Sequence, residues 1–158
     1  MTDAPAGHTS VRKVSGLRLQ LMIAIVLIAI EVALGVSVNL FAKLPAADKG
    51  TSGFSAFGDA IASGPASLAV HAVVGTLILL AGVSVLIRAI SIRSIMQIVL
   101  TALGLLTVLM AWGSGTAFVG SQADGASFSM TMGTVVALLS YTVALFLLRA
   151  PAPEQRPV

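Results

Sequence analysis

The sequence predicts an all-α fold: a bundle of four transmembrane helices, up-down-up-down, arranged as two parallel two-helix repeats. Three observations carry that reading. Hydrophobic residues make up 57% of the 158 and charged residues only 9%, against about 25% charged in soluble proteins. Too few charges remain to cover a water-facing surface. Four apolar runs each reach the roughly 20 residues needed to cross about 30 Å of hydrocarbon. A span must satisfy its own backbone groups, so runs of this composition become helices.

The third observation is the placement of the basic residues. Arg12, Lys13, Arg18, Arg88, Arg93, Arg149 and Arg156 lie at the N-terminus, the second-to-third connection or the C-terminus, and only Lys43 and Lys49 fall in the other loops. The positive-inside rule therefore puts both termini in the cytoplasm, as expected of a multi-pass protein of the cytoplasmic membrane. The net charge of +3 is a topology signal, not a nucleic-acid site. The chain has no cysteine, which excludes disulfides, thiolate metal sites, iron–sulfur clusters and thioether-linked haem.

In chain order, residues 1–15 are small and polar and read as a disordered cytoplasmic tail. Residues 16–149 form the membrane domain. Its first helix, about 17–41, is charge-free from Leu19 to Ala42 except for Glu31. A signal peptide is the competing reading, but about 24 apolar residues exceed the 7–15 of a signal core. Residues 43–66 are rich in Gly, Ser and Ala. Phe54, Phe57 and Ile61 recur at i, i+3 and i+7, which suits either a short amphipathic surface segment or an irregular loop. The second helix, about 67–88, ends in a tight basic connection, Arg88 to Arg93. Ser94 is an N-cap candidate for the third helix, about 94–118. The fourth runs over about 127–148, and residues 150–158 are a cytoplasmic tail.

The repeat is read from short matches. Gly75-Thr76 aligns with Gly133-Thr134, and Ala33-Leu34-Gly35 with Ala111-Trp112-Gly113. Two parallel repeats about the membrane normal would follow, with Ser129 standing where the first repeat has His71.

Lipid tails are as apolar as leucine, so membrane helices meet through small and occasional polar residues. Each span has such a stripe at i, i+3/i+4 or i+7 spacing. The first has Glu31, Gly35 and Asn39; the second Ser67, His71, Gly75 and Gly82. The third has Gln97, Thr101, Gly104, Ala111 and Gly115; the fourth Ser129, Gly133, Ala137, Ser140 and Ala144. Gly35, Gly75, Gly82, Gly104 and Gly133 are the expected close-packing points.

Glu31 and His71 are the readily ionisable residues well inside spans, and an intramembrane ionisable residue needs a partner. A rise of 1.5 Å per residue puts Glu31 roughly 15 Å, and His71 roughly 6–9 Å, below the outer surface. Two long side chains on adjacent antiparallel helices can close much of that gap. Glu31, His71 and Asn39 are therefore the expected polar intramembrane site. Three roles compete for His71. It can be a structural partner of Glu31, or a member of a proton or ion relay in a small transporter component. It can also be an axial ligand of haem b, with Met130 or Met132 as the second ligand. His8, in the tail, is the other histidine, so bis-histidine ligation within one chain is excluded. Trp112 reads as an interface anchor, and Tyr141 as a hydrogen-bonded residue beside Ser140.

V-H-A-V-V-G-T-L-I-L-L-A-G, from Val70, resembles the His-xxx-Gly pattern of haem-bearing four-helix membrane proteins of the cytochrome b561 and haem A synthase kind. Together with L-G-V-S-V-N-L-F in the first helix, it is similar to small uncharacterised bacterial four-helix integral membrane proteins. The resemblance implies a haem site in which His71 would be a ligand. No catalytic constellation emerges: HExxH, a phosphate loop and GxSxG are all missing. The function expected is that of a multi-pass accessory protein with a polar site in its outer half. Its expected partners are the lipid bilayer and another membrane subunit or a second copy, with no nucleic acid.

Overall fold

A computed structural model describes residues 6–42, 53–121 and 123–148. Its elements are α1 (Ala6–Phe41), α2 (Gly53–Ser63), α3 (Ala66–Ile92), α4 (Ile95–Ser121) and α5 (Asp124–Leu147). The described residues contain no strand. α1, α3, α4 and α5 are each long and apolar enough to cross a membrane. The chain is a multi-pass membrane protein with an all-α four-helix bundle.

Residue partners fix the direction of each helix. Along α1, Gln20, Glu31 and Val38 meet Ser84, His71 and Leu68, so α3 runs back along α1. Along α4, Gln97, Gly104 and Gly115 meet Ala144, Tyr141 and Met130, so α5 runs back along α4. Thr76 meeting Trp112, and Gly82 meeting Leu105, make α3 and α4 antiparallel. The spans form a square in which α1 touches α3 and α5 while α4 touches α3 and α5; the diagonal pairs do not approach backbone to backbone, though the Tyr141 side chain of α5 reaches across to Gly82 of α3. One end of the square carries the turn at Arg93–Ser94 and is termed the basic end. The other carries α2 and is termed the α2 end.

Residues 6–15, expected as a tail, belong to α1 where they are described. The stretch from His8 to Ser15 contains no proline or glycine, and extending an existing helix is far cheaper than nucleating one. At 36 residues α1 is about 54 Å long, longer than the roughly 30 Å hydrocarbon layer. α3 likewise runs to Ile92, past Arg88. The connection shrinks to Arg93, whose φ of 60° puts it in the left-handed region. Its N–H donates to the Ile90 carbonyl and ends the helix. Residues 43–52 and 149–158, with Lys43, Lys49, Arg149 and Arg156, lie outside the described residues.

The core is confined to one half of the bundle. Leu17, Leu21, Ala24 and Ile28 of α1 meet Ile78, Val85 and Ala89 of α3, Val108 of α4, and Ala137, Tyr141, Ala144 and Leu148 of the α5 side. All lie from mid-bundle toward the basic end. Alanines and glycines bring the backbones close there, as expected where hydrophobicity cannot drive association. Leucine, isoleucine and valine side chains such as Leu80, Ile87, Leu106 and Leu139 face outward as the lipid surface. A smaller cluster, Val38, Ala60 and Leu68, seats α2 at the other end.

Candidate functional site

The α2 half of the bundle encloses a cavity of about 300 Å³ where the core is absent. All four spans and α2 line it. Most of the wall is apolar. Among the described residues, the ionisable groups in it are Glu31 and His71.

The structure brings these two together, with His71 Nδ1 3.0 Å from Glu31 Oε1. The side chains are only 16% and 13% exposed, which protects the attraction from solvent screening. The distance is that of an ion pair, but the N–H is not aimed along it. Nδ1 therefore has no aligned hydrogen bond. Glu31 Oε2, the second carboxylate oxygen, is sealed from solvent and has no hydrogen-bond partner among the described residues.

Glycines make the contact possible. One turn beyond Glu31, Gly35 lies under the imidazole, and a Cβ there would meet His71 Cε1 at 3.2 Å. One turn beyond His71, Gly75 lies under the carboxylate, and a Cβ there would meet Glu31 Oε1 at 2.8 Å. Each helix thus offers an ionisable residue and, four positions on, the gap that receives the other's. This is the i, i+4 neighbour relation on two antiparallel faces.

Of the other sequence-derived site residues, Asn39 lines the cavity two turns further along α1 and does not join the pair. Met130 lines the same cavity, its sulfur packed toward Gly115. Met132 does not; it is 41% exposed on another side of α5. The remaining glycines meet neighbouring helices. A Cβ on Gly133 would stand 2.7 Å from the Thr107 carbonyl oxygen, and one on Gly82 2.8 Å from the Tyr141 hydroxyl. Gly104 lies directly under the Tyr141 ring. The repeat is uneven at this level. Gly75 and Gly133 each face the span before their own, but nothing lies within 4 Å of Gly113, the counterpart of Gly35.

Two aromatic readings change. Trp112 is a wall of the cavity rather than a lipid-facing anchor. Its Nε1 donates to Thr76 Oγ1 at 3.2 Å, and its ring centroid lies 6.1 Å from Phe54 and 5.5 Å from Phe57 of α2. α2 is thereby seated through Phe57 and Ala60, while Phe54 is 76% exposed and Ile61 39%. Tyr141 is fully buried, but its hydroxyl has no hydrogen-bond partner among the described residues. Ser140 cannot supply one: neighbouring helical residues point about 100° apart, and its hydroxyl donates to the Val136 carbonyl. The sequence also gave no sign of the Gln20–Ser84 hydrogen bond at 3.0 Å.

No protein family, curated protein or solved structure matches this chain. Its site is therefore defined by its own geometry.

Proposed function

We propose that this multi-pass membrane protein is a binding protein, an accessory component of a bacterial cytoplasmic membrane, that holds a ligand against the Glu31–His71 pair. One observation carries the reading: the Glu31–His71 pair stands in the wall of a cavity that is otherwise mostly apolar. Apolar cavities with a few convergent polar groups are the usual form of small-molecule sites. The gathering of Arg12, Lys13, Arg18, Arg88 and Arg93 toward the basic end supports cytoplasmic termini, with the site in the outer half.

Native mass spectrometry of the purified full chain tests this proposal. A small-molecule adduct is expected on the unaltered protein and is expected to be lost in Glu31→Gln and His71→Gln. Identical bare-chain spectra for all three proteins would sink the proposal.

A second reading is haem binding. Ligating histidines characteristically hold their second ring nitrogen against a carboxylate or carbonyl. Glu31 Oε1 stands 3.0 Å from Nδ1, close enough for that arrangement without an aligned hydrogen bond, which leaves Nε2 as the ligating atom, and Met130 lines the same cavity. Haem would supply redox chemistry there. A Soret band lost in His71→Ala supports this reading, and a clean spectrum after expression with ample haem rejects it.

A further inference from the structure

At the basic end, α3 reaches across to α1 through an arginine. The Arg88 guanidinium fills the gap that Gly16 leaves on α1: a Cβ on Gly16 would run into Arg88 Nη1 and stand 2.9 Å from Cζ. One turn deeper the seam is closed by the hydrogen bond from Gln20 to Ser84, and the buried Leu17, Val85 and Ala89 lie behind it. Arg88 is half-buried in this place. Among the described residues, no carboxylate pairs with its guanidinium and nothing accepts a hydrogen bond from it.

The register of the two helices sets the depth. Gln20 meets Ser84 and Gly16 meets Arg88, so one turn of α1 matches one turn of α3. A further turn brings Arg12, on the same face as Gly16, level with Ile92, the last residue of α3. Irregular backbone is not tolerated against hydrocarbon, so the exposed turn at Arg93 lies outside it. Arg88 stands five positions earlier, about 7.5 Å deeper, and the headgroup layer is about 5–8 Å thick on each face. Its guanidinium therefore belongs at the foot of that layer, on the outward side of the seam where Ser84 is exposed. A guanidinium does not lose its proton, and a cation at that depth calls for an anion. The described carboxylates, Glu31, Asp59 and Asp124, all lie in the α2 half.

We infer that the outward side of the α1–α3 seam at the basic end binds the phosphate of an acidic phospholipid, with Arg88 as its principal ligand and Arg12 as the second cation. This site is independent of the cavity. The fork of Arg88 matches two phosphate oxygens at once, and the Gly16 gap holds that fork against the helix. Basic groups between spans at the cytoplasmic face are a recurrent seat for anionic headgroups. Depth selects a lipid phosphate over a dissolved anion. Arg18 adds to the field without joining the site, because two positions from Gly16 turn it about 200° away.

The test is a native mass spectrometry titration of the full chain in detergent with dioleoylphosphatidylglycerol or dioleoylphosphatidylcholine. One phosphatidylglycerol is expected to bind about tenfold tighter than phosphatidylcholine. Arg88→Gln should erase that preference, and Arg12→Gln should weaken it about fivefold, the usual effect of one cation near an anionic headgroup. Arg88→Lys keeps the charge and loses the fork, so it should also weaken binding. Gly16→Ala is the most telling variant. It changes no charge, and the only group it displaces is the end of the Arg88 side chain. Binding should fall several-fold while thermal stability stays level or rises, since alanine suits a helix better than glycine. Arg18→Gln removes the same charge from the other side of α1. If it weakens binding as much as Arg88→Gln, the attraction is diffuse and the site is overturned. Equal affinity for the two lipids, or full affinity in Gly16→Ala and Arg88→Lys together, overturns it as well. Displacement of the lipid by an equal concentration of inorganic phosphate would assign the seam to a soluble anion instead.

Discussion

His71 Nδ1 lies 3.0 Å from Glu31 Oε1, joining α3 to α1 through the two ionisable side chains of the cavity. Removing either partner leaves the other buried and unpaired, whereas removing both leaves neither. Glu31→Gln combined with His71→Gln should therefore cost less than the two single losses together. The expected coupling in detergent unfolding is about 0.5–2 kcal/mol. Strictly additive losses would show that the contact contributes nothing.

The glycines under the pair differ in what can give way. At Gly75 a new Cβ would press on Glu31 Oε1 at 2.8 Å, the end of a side chain that can swing aside. At Gly133 it would press on the Thr107 carbonyl oxygen at 2.7 Å and Ala111 Cβ at 3.1 Å, which move only if the helices part. Gly133→Ala should cost about 1–3 kcal/mol, as overpacked cores do. Gly75→Ala should cost less, and its cost should vanish in a Glu31→Ala background. Leu77, 49% exposed, should tolerate alanine within about 0.5 kcal/mol. A Gly75→Ala penalty unchanged by Glu31→Ala would mean that α1 approaches through its backbone.

The spans and their packing stripes were legible because both depend on local composition and on the 3.6-residue period. Gln97, Thr101 and Gly104 are indeed buried on one face of α4, as are Gly133, Ala137, Ser140 and Ala144 on α5. Pairing between helices was less legible. Glu31 and His71 stood out as the ionisable groups within spans, which left few combinations. Trp112 had no such uniqueness of partner. Its place in the cavity depends on α2 folding back over α4, and the i, i+3, i+7 spacing of Phe54, Phe57 and Ile61 suited a loop equally well. Met130 and Met132 look equivalent in sequence, but two positions rotate a side chain by about 200° on a helix, so only Met130 lines the cavity.

Tyr141 is wedged against Gly82 and Gly104 with an unpartnered hydroxyl. Tyr141→Phe removes no hydrogen bond and should be neutral or slightly stabilising. Tyr141→Ala empties the space the two glycines make for the ring and should cost about 3–5 kcal/mol, as large aromatic truncations do. Thermal unfolding of both variants checks this pair of expectations. A loss above about 1 kcal/mol in Tyr141→Phe would reveal a bound partner at the hydroxyl.

Orientation is open to direct labelling because the chain has no cysteine of its own. Ser121, at the end of α4, and Ser91, near the end of α3, lie at opposite ends of the bundle and are both exposed. A cysteine at Ser121 should react with an impermeant thiol reagent added to intact cells, and one at Ser91 should react only after lysis. The opposite pattern would invert the assignment of the termini.

Trp112 is the sole tryptophan in the sequence, so its fluorescence reports on the roof of the cavity without engineering. Phe57 lies 5.5 Å from it, centroid to centroid, and such aromatic pairs contribute about 0.5–1.5 kcal/mol beyond burial. Phe57→Ala should loosen α2 and expose the indole to water, shifting its emission to the red. Thr76→Val keeps the shape but removes the acceptor for the indole N–H, leaving a partly buried donor unpaired at a cost of about 1–3 kcal/mol. Phe146 is 87% exposed near the basic end of α5, and its alanine variant should leave the emission unchanged. If Phe57→Ala and Phe146→Ala give the same spectrum, α2 does not cover Trp112 in the membrane. The cavity would then open to water at that end.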